Sequence, residues 1–277
     1  MSLKNSRLGF VVGLSIGALC LGLAVRSVDP QQLWQTFGRL DGITIIFALG
    51  LALLHAFAMA LKWQLFLLPL GPQKFWHCFW SVRLGFFFNA ILPAKLGEGI
   101  RLWFMHKHGR VPFSQGIGAL VADRFIDFAA LVLVFYFSMN FISVDSTWVP
   151  KEVFALIFFG FIAAFIILYF LPENKGPAWI QKIVRFLHQV RRGLDSLRRP
   201  KILLPGLLVA IAGWFIHIGM LLILAKGLGL SLEWPQMMVV IAAVTLIGAL
   251  PSAPSSLGTF EFAAVFVLTR FFRVPAE

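Results

Sequence analysis

Apolar residues run in long unbroken stretches along this chain, and polar residues fall between the stretches. Over 8–26, 43–70, 113–140, 153–171 and 202–225 the runs suit membrane-crossing helices, which rise about 1.5 Å per residue through about 30 Å of hydrocarbon. Residues 177–200 follow another rule. There Ile183, Phe186, Leu187, Val190, Leu194 and Leu197 recur at three- and four-residue steps among Lys and Arg, which predicts an amphipathic helix lying at an interface. Two more apolar regions, 79–105 and 237–272, are each broken by Pro and Gly into halves too short to span.

Composition turns this pattern into a class. Hydrophobic residues make up 59% of the 277 and charged residues 13%, against about 25% charged in a soluble domain. Lipid must therefore be part of the solvent. That excludes a soluble enzyme, a secreted disulfide scaffold and a disordered chain. Continuous apolar runs also exclude an outer-membrane barrel. No polar stretch is long enough for a soluble domain, so residues 1–277 read as a single integral membrane domain, an all-α polytopic helix bundle.

Charge sets the expected topology. Lys and Arg number 24 against 12 Asp and Glu, a formal net charge of +12. In a membrane protein such an excess speaks first to orientation and to anionic lipid, not to nucleic acid. Lys4 and Arg7 precede the first run, which lacks a small-x-small cleavage site and reads as an uncleaved span with its N-terminus in the cytoplasm. The stretch 172–201 carries eight Lys/Arg against Glu173 and Asp195, half of the net charge, and falls on the same side. Cys20 and Cys78 lie far apart, with neither metal nor redox spacing.

The broken regions share an order. In the first, an apolar half stops at Leu92-Pro93 and resumes at Leu96-Gly97-Glu98; in the second, it stops at Leu250-Pro251 and resumes at Leu257-Gly258, with Glu261 following. They enter from opposite sides by the orientation above, which predicts two re-entrant helical hairpins in an inverted repeat. Pro93, Gly97, Pro251, Pro254 and Gly258 are the expected turn residues, since Pro ends a helix and Gly permits tight turns. Irregular backbone at membrane depth needs protein or a water-filled cavity around it. The second half of each pair points free N–H groups at its turn, an arrangement that binds anions such as phosphate. Ser255, Ser256 and Thr259 add hydroxyls there, and Asn89, just before the first turn, is counted with them among the residues expected to line a headgroup cavity.

Arg83, Lys95, Glu98, Arg101, Asp123, Arg124, Asp127 and Glu261 all fall in or beside these elements. Ionisable groups in membrane segments pair with one another or line a polar cavity. Glu98 and Arg101, three apart, share a helix face, as do Asp123 and Asp127, four apart. Two readings stay open: ion pairs that lock the hairpins into the bundle, or contacts to a ligand. Lys62, inside the second run, is expected to snorkel to the interface. His55 and His217 read as lone packed histidines. His106 and His108 stand two apart on different helix faces, so neither a metal site nor a cofactor is expected. No HExxH, P-loop or GxSxG sequence occurs, and no catalytic residue is assigned.

Two stretches carry a resemblance: Asn89-x-x-Leu92-Pro93-Ala94-Lys95-Leu96-Gly97-Glu98-Gly99-Ile100-Arg101 and Pro251-Ser252-Ala253-Pro254-Ser255-Ser256-Leu257-Gly258-Thr259-Phe260-Glu261. With Arg83-x-Gly85 and Asp123-Arg124, they resemble the transmembrane region of lysylphosphatidylglycerol synthase and its flippase-like relatives, over about residues 8–272. The resemblance implies a polytopic bundle with two re-entrant hairpins in a bacterial cytoplasmic membrane. It also implies a link to moving phospholipid between leaflets where the region is fused to a synthase domain. Relatives usually carry Gly-Gly where Ser255-Ser256 stand, and a further span after the Glu261 helix.

Three functions follow as expectations. The first is a transporter or flippase for a lipid with a phosphate-containing headgroup, received by Arg83, Arg101 and Arg124. Glu98, Asp123, Asp127 and Glu261 would orient those arginines, meet a cationic headgroup or carry a coupling proton. The second is a membrane-embedded lipid-modifying transferase. The third is an accessory subunit of a lipid or envelope biosynthesis system, docked through the basic helix. Expected partners are anionic membrane lipid and either a second copy or a membrane partner protein.

Overall fold

Helix is the only regular structure among the described residues, which are 35–36, 38, 40–92, 95–141, 156, 159–160, 163, 178–247 and 258–272 of a computed structural model. They form α1 (Gly42–Leu67), α2 (Phe75–Ile91), α3 (Gly97–Gly109), α4 (Phe113–Ser138), α5 (Ala178–Gly193), α6 (Pro200–Gly227), α7 (Trp234–Ile247) and α8 (Thr259–Phe272). The expected spans at 8–26 and most of 153–171 lie outside the described residues, as do Pro93 and the second turn with Pro251, Pro254, Ser255 and Ser256.

Local chemistry sets the helix ends. Asp41 caps α1: its Oδ1 accepts from the Thr44 N–H at 2.9 Å, which holds the carboxyl below its usual range. Pro200 stands at the first position of α6, where its missing N–H costs nothing. At the other end of α2, Leu92 turns to extended backbone, as the residue before a proline does. Arg110 closes α3 in the left-handed conformation at φ 54°.

Two helices, α1 with its following turn (Gly42–Leu70) and α6, are long and apolar enough to cross a membrane, with mean hydropathies of 2.3 and 2.5. Their outer faces expose Ile46, Phe47, Leu49 and Leu53 on α1 and Leu204 and Leu208 on α6. Such surfaces suit lipid. α4 is equally long at 26 residues but carries Asp123, Arg124 and Asp127. It is the hub of the bundle and touches α1, α3, α5, α6 and α7.

Both broken regions form packed helix pairs. α2 and α3 run antiparallel, with Cys78 and Val82 meeting Leu102 and Met105 in one cluster. Gly97 makes this approach close: a Cβ there would run into the Gly85 carbonyl oxygen and stand 2.6 Å from Asn89 Oδ1. Gly97 thus opens α3 and packs it on α2. In the second pair Val240 and Val244 of α7 pack with Ala263 and Val267 of α8. α4 touches α3 of the first pair and α7 of the second.

The predicted amphipathic helix is α5, continued by a 3-10 turn over Leu194–Arg198. It lies on α4. Val190 and Leu194 are buried. Gly118 and Gly193 let the backbones touch, a Cβ on Gly118 standing 2.8 Å from the Gly193 Cα.

Candidate functional site

The polar centre forms where α1, α3 and α4 meet. Packing fixes the positions first. Trp63, Val82, Leu102 and Ala119 share one buried cluster, which brings the neighbouring Lys62, Arg101 and Asp123 to a common point. Lys62 Nζ stands 3.1 Å from Asp123 Oδ1 and also donates to Asp127 Oδ1. Arg101 Nη2 donates to Asp123 Oδ2 at 3.1 Å, and its Nη1 lies 3.6 Å from Glu98 Oε2. Arg124 closes the network, with Nη2 at 3.2 Å from Glu98 Oε1 and Nη1 at 3.5 Å from Asp127 Oδ2.

Three cations thus answer three carboxylates. The Arg101 guanidinium also lies 3.9 Å from the Trp63 ring centroid, a favourable stack when water is excluded. Trp214 of α6 donates its Nε1–H to the Asp127 carbonyl oxygen at 3.0 Å, tying a fourth helix to the centre. Exposure grades across the network. The side chains of Lys62 and Asp123 are 1% exposed, Asp127 16%, Glu98 25% and Arg124 41%. One end is sealed and the other opens to the surroundings.

Arg83 of α2 stands outside this balance. It is within electrostatic range of Arg101 and of His55, and its guanidinium lies 5.1 Å from the Phe86 ring centroid. Its Nε and Nη2 are sealed from solvent and have no hydrogen-bond partner, and no carboxylate pairs with it, among the described residues. A cation half-buried at this depth without a counterion is costly. The position is therefore suited to receive an anion.

The remaining candidates sit elsewhere. Lys95 is exposed and left-handed at φ 55°. Asn89 faces the start of α3 through its Oδ1. Glu261 turns back on its own helix, where its Oε2 accepts from the Gly258 N–H at 2.6 Å, and Thr259 is buried beside it.

Two features differ from the sequence expectation. Lys62 is buried and paired, so it does not snorkel: two carboxylates on α4 hold it inside the bundle. His55 and His217 are not lone either. Their rings, from α1 and α6, stand 5.4 Å apart. A solitary lysine inside an apolar helix was the available signal for the first, because an ionisable group there needs a reason. Nothing along the chain links residues 55 and 217. Among the described residues no group of three or more His, Cys, Asp or Glu is placed to hold a metal.

Comparisons with known proteins agree on one class. The family described as Lysylphosphatidylglycerol synthase TM region matches residues 10–277. A UPF0104 membrane protein of Methanocaldococcus jannaschii is 28% identical over 188 residues, covering 66% of this chain and 79% of the relative. No solved structure matches.

Proposed function

Because the chain belongs to the lysylphosphatidylglycerol synthase transmembrane-region family, we propose that it binds the phosphate-bearing headgroup of a membrane lipid and carries it between leaflets. It is an integral membrane protein, and the family points to a lipid-related role. In this reading the membrane is a bacterial cytoplasmic membrane, the N-terminus is cytoplasmic, and the two broken helix pairs re-enter from opposite sides as an inverted repeat.

The observation that carries the proposal is a self-neutralised network with one open end, beside a half-buried arginine that has no counterion among the described residues. A closed structural ion-pair cluster would be complete without Arg83. A headgroup site needs both parts: a polar floor at membrane depth, and a cation free to meet phosphate. Arginine suits phosphate through bidentate donation. Arg83 is the first receptor, and Arg124, the exposed member of the network, is the second. Glu98 and Asp127 hold Arg124 in place and release it as phosphate competes. Glu261 and Thr259 mark the corresponding start of the second pair.

Photochemical capture tests this directly. The full chain is placed in lipid nanodiscs containing a phospholipid with a photoreactive headgroup, irradiated and mapped by peptide mass spectrometry. Adducts are expected around Arg83, Glu98 and Arg124. Adducts confined to the outer faces of α1 and α6, around Leu53 and Leu208, would remove the proposal.

A further inference from the structure

His55 of α1 and His217 of α6 form a polar pair between the two helices long enough to cross a membrane. Their rings stand 5.4 Å apart and 36° from parallel, and both side chains are half-buried. Packing brings them together. Gly213 lies one turn before His217, and a Cβ there would sit 3.8 Å from His55 Cδ2 and 4.0 Å from its Nε2. The missing side chain lets the His55 ring lie against α6. The Trp214 ring stands edge-on to His217 at 6.2 Å, while its Nε1–H holds the Asp127 carbonyl oxygen.

The pair lies beside Arg83. Phe79 of α2 packs with Ala56 and Ala60 of α1, and Arg83 stands one turn further along α2. Arg83 is thereby within electrostatic range of His55. His217 Nδ1 is sealed from solvent and has no hydrogen-bond partner among the described residues. Either a lone pair or an N–H is left unmet there.

Other charges around the pair are already answered or distant, among the described residues. Lys62 acts on His55 from its own helix, and Asp123 and Asp127 neutralise it. Arg124 of α4 is held by Glu98 and Asp127. α7 carries no ionisable residue. Lys226 lies nine residues beyond His217 on α6, about 13 Å of rise. Asp195 and Arg198 precede Pro200, which stands 17 residues before His217, about 25 Å. Arg83 is the neighbour whose balance an anion would change. An anion beside it adds an attraction for a proton on the imidazoles that the empty site lacks. Two adjacent imidazoles suit one proton: the charged ring donates, the neutral ring accepts, and a second proton meets the charge of the first.

We propose that the His55–His217 pair takes up one proton from the aqueous phase when a phosphate-bearing headgroup binds beside Arg83, which couples headgroup movement to protons. This rests on the headgroup-transport reading above. The proton adds to an imidazole nitrogen lone pair, and no other bond changes. By linkage, the proton favours the headgroup as much as the headgroup favours the proton, so binding tightens as pH falls.

Calorimetry on the full chain in detergent tests this, with dioctanoyl phosphatidylglycerol as the probe. Its phosphodiester stays singly charged near neutral pH, so a proton taken up on binding enters the protein. Titration in two buffers of unlike ionisation enthalpy counts those protons. Wild type is expected to take up about half to one proton per lipid near neutral pH, and to bind severalfold tighter one pH unit lower. His55→Gln/His217→Gln is expected to bind without uptake and with an affinity that no longer follows pH. His217→Gln alone, a smaller disturbance of packing, is expected to reduce the uptake in the same direction. Uptake lost in Glu98→Gln and kept in the histidine variants would place the proton on the ion-pair network and overturn the pair. Phosphatidylglycerol bound by wild type with no proton uptake overturns the proposal and leaves the headgroup reading standing. No binding by wild type, or binding unaffected by Arg83→Gln, brings down the headgroup reading and the proton coupling with it.

Discussion

Lys62 and Asp123 are each 1% exposed and 3.1 Å apart, and their burial decides how they respond to change. Removing one partner leaves the other only partly compensated, Asp123 by Arg101 and Lys62 by Asp127, at a cost approaching the ~3–5 kcal/mol of a broken buried pair. Lys62→Met and Asp123→Asn are each expected to lower thermal stability in detergent by that order. The double variant is expected to lose less than the sum, because the contact between the two is lost only once. Additive losses would show that the two residues do not act as a pair. Part of this was legible in the chain: Glu98 with Arg101, and Asp123 with Asp127, stand at spacings that share a helix face. The contribution of Lys62 was not, because its partners lie on a helix 61 and 65 residues away. Pairings across helices leave no periodic trace. His55 and His217 were missed for the same reason.

At the scale of elements, the α2–α3 pair depends on one missing side chain. A Cβ at Gly97 would strike the Gly85 carbonyl oxygen, whereas at Gly99, two residues on, it would meet nothing within 4 Å. Gly97→Ala is expected to destabilise the protein by about 1–3 kcal/mol through overpacking. Gly99→Ala is expected to be neutral or to stabilise by up to about 1 kcal/mol through helix propensity. Thermal unfolding of the two variants side by side reads the contrast, and equal effects would contradict the close packing. The Pro and Gly breaks announced both helix pairs in advance, and the three- and four-residue apolar steps announced α5. The seat of α5 on α4 was silent, since Gly118 and Gly193 show their purpose only when the two backbones meet.

At the scale of the whole molecule, apolar surface on α1 and α6 faces outward while charge gathers where α1, α3 and α4 meet. Composition already required a membrane bundle, and the family match places the chain among membrane proteins. What composition does not carry is the division of labour among the charges. The network of six balances itself, and Arg83 stands beside it with no carboxylate partner among the described residues. The central claim is therefore that a phosphate-bearing headgroup moves through this bundle by way of Arg83. The measurement that tests it most directly is leaflet exchange of fluorescent phosphatidylglycerol in proteoliposomes. It compares wild type with Arg83→Gln at matched folding and reconstitution, and includes a phosphate-free diacylglycerol probe. Exchange of the phospholipid above protein-free liposomes, lost in Arg83→Gln while the diacylglycerol signal stays the same in both, is the predicted result. Phospholipid exchange at the same rate in wild type and Arg83→Gln, or no exchange in well-folded wild type, would contradict it.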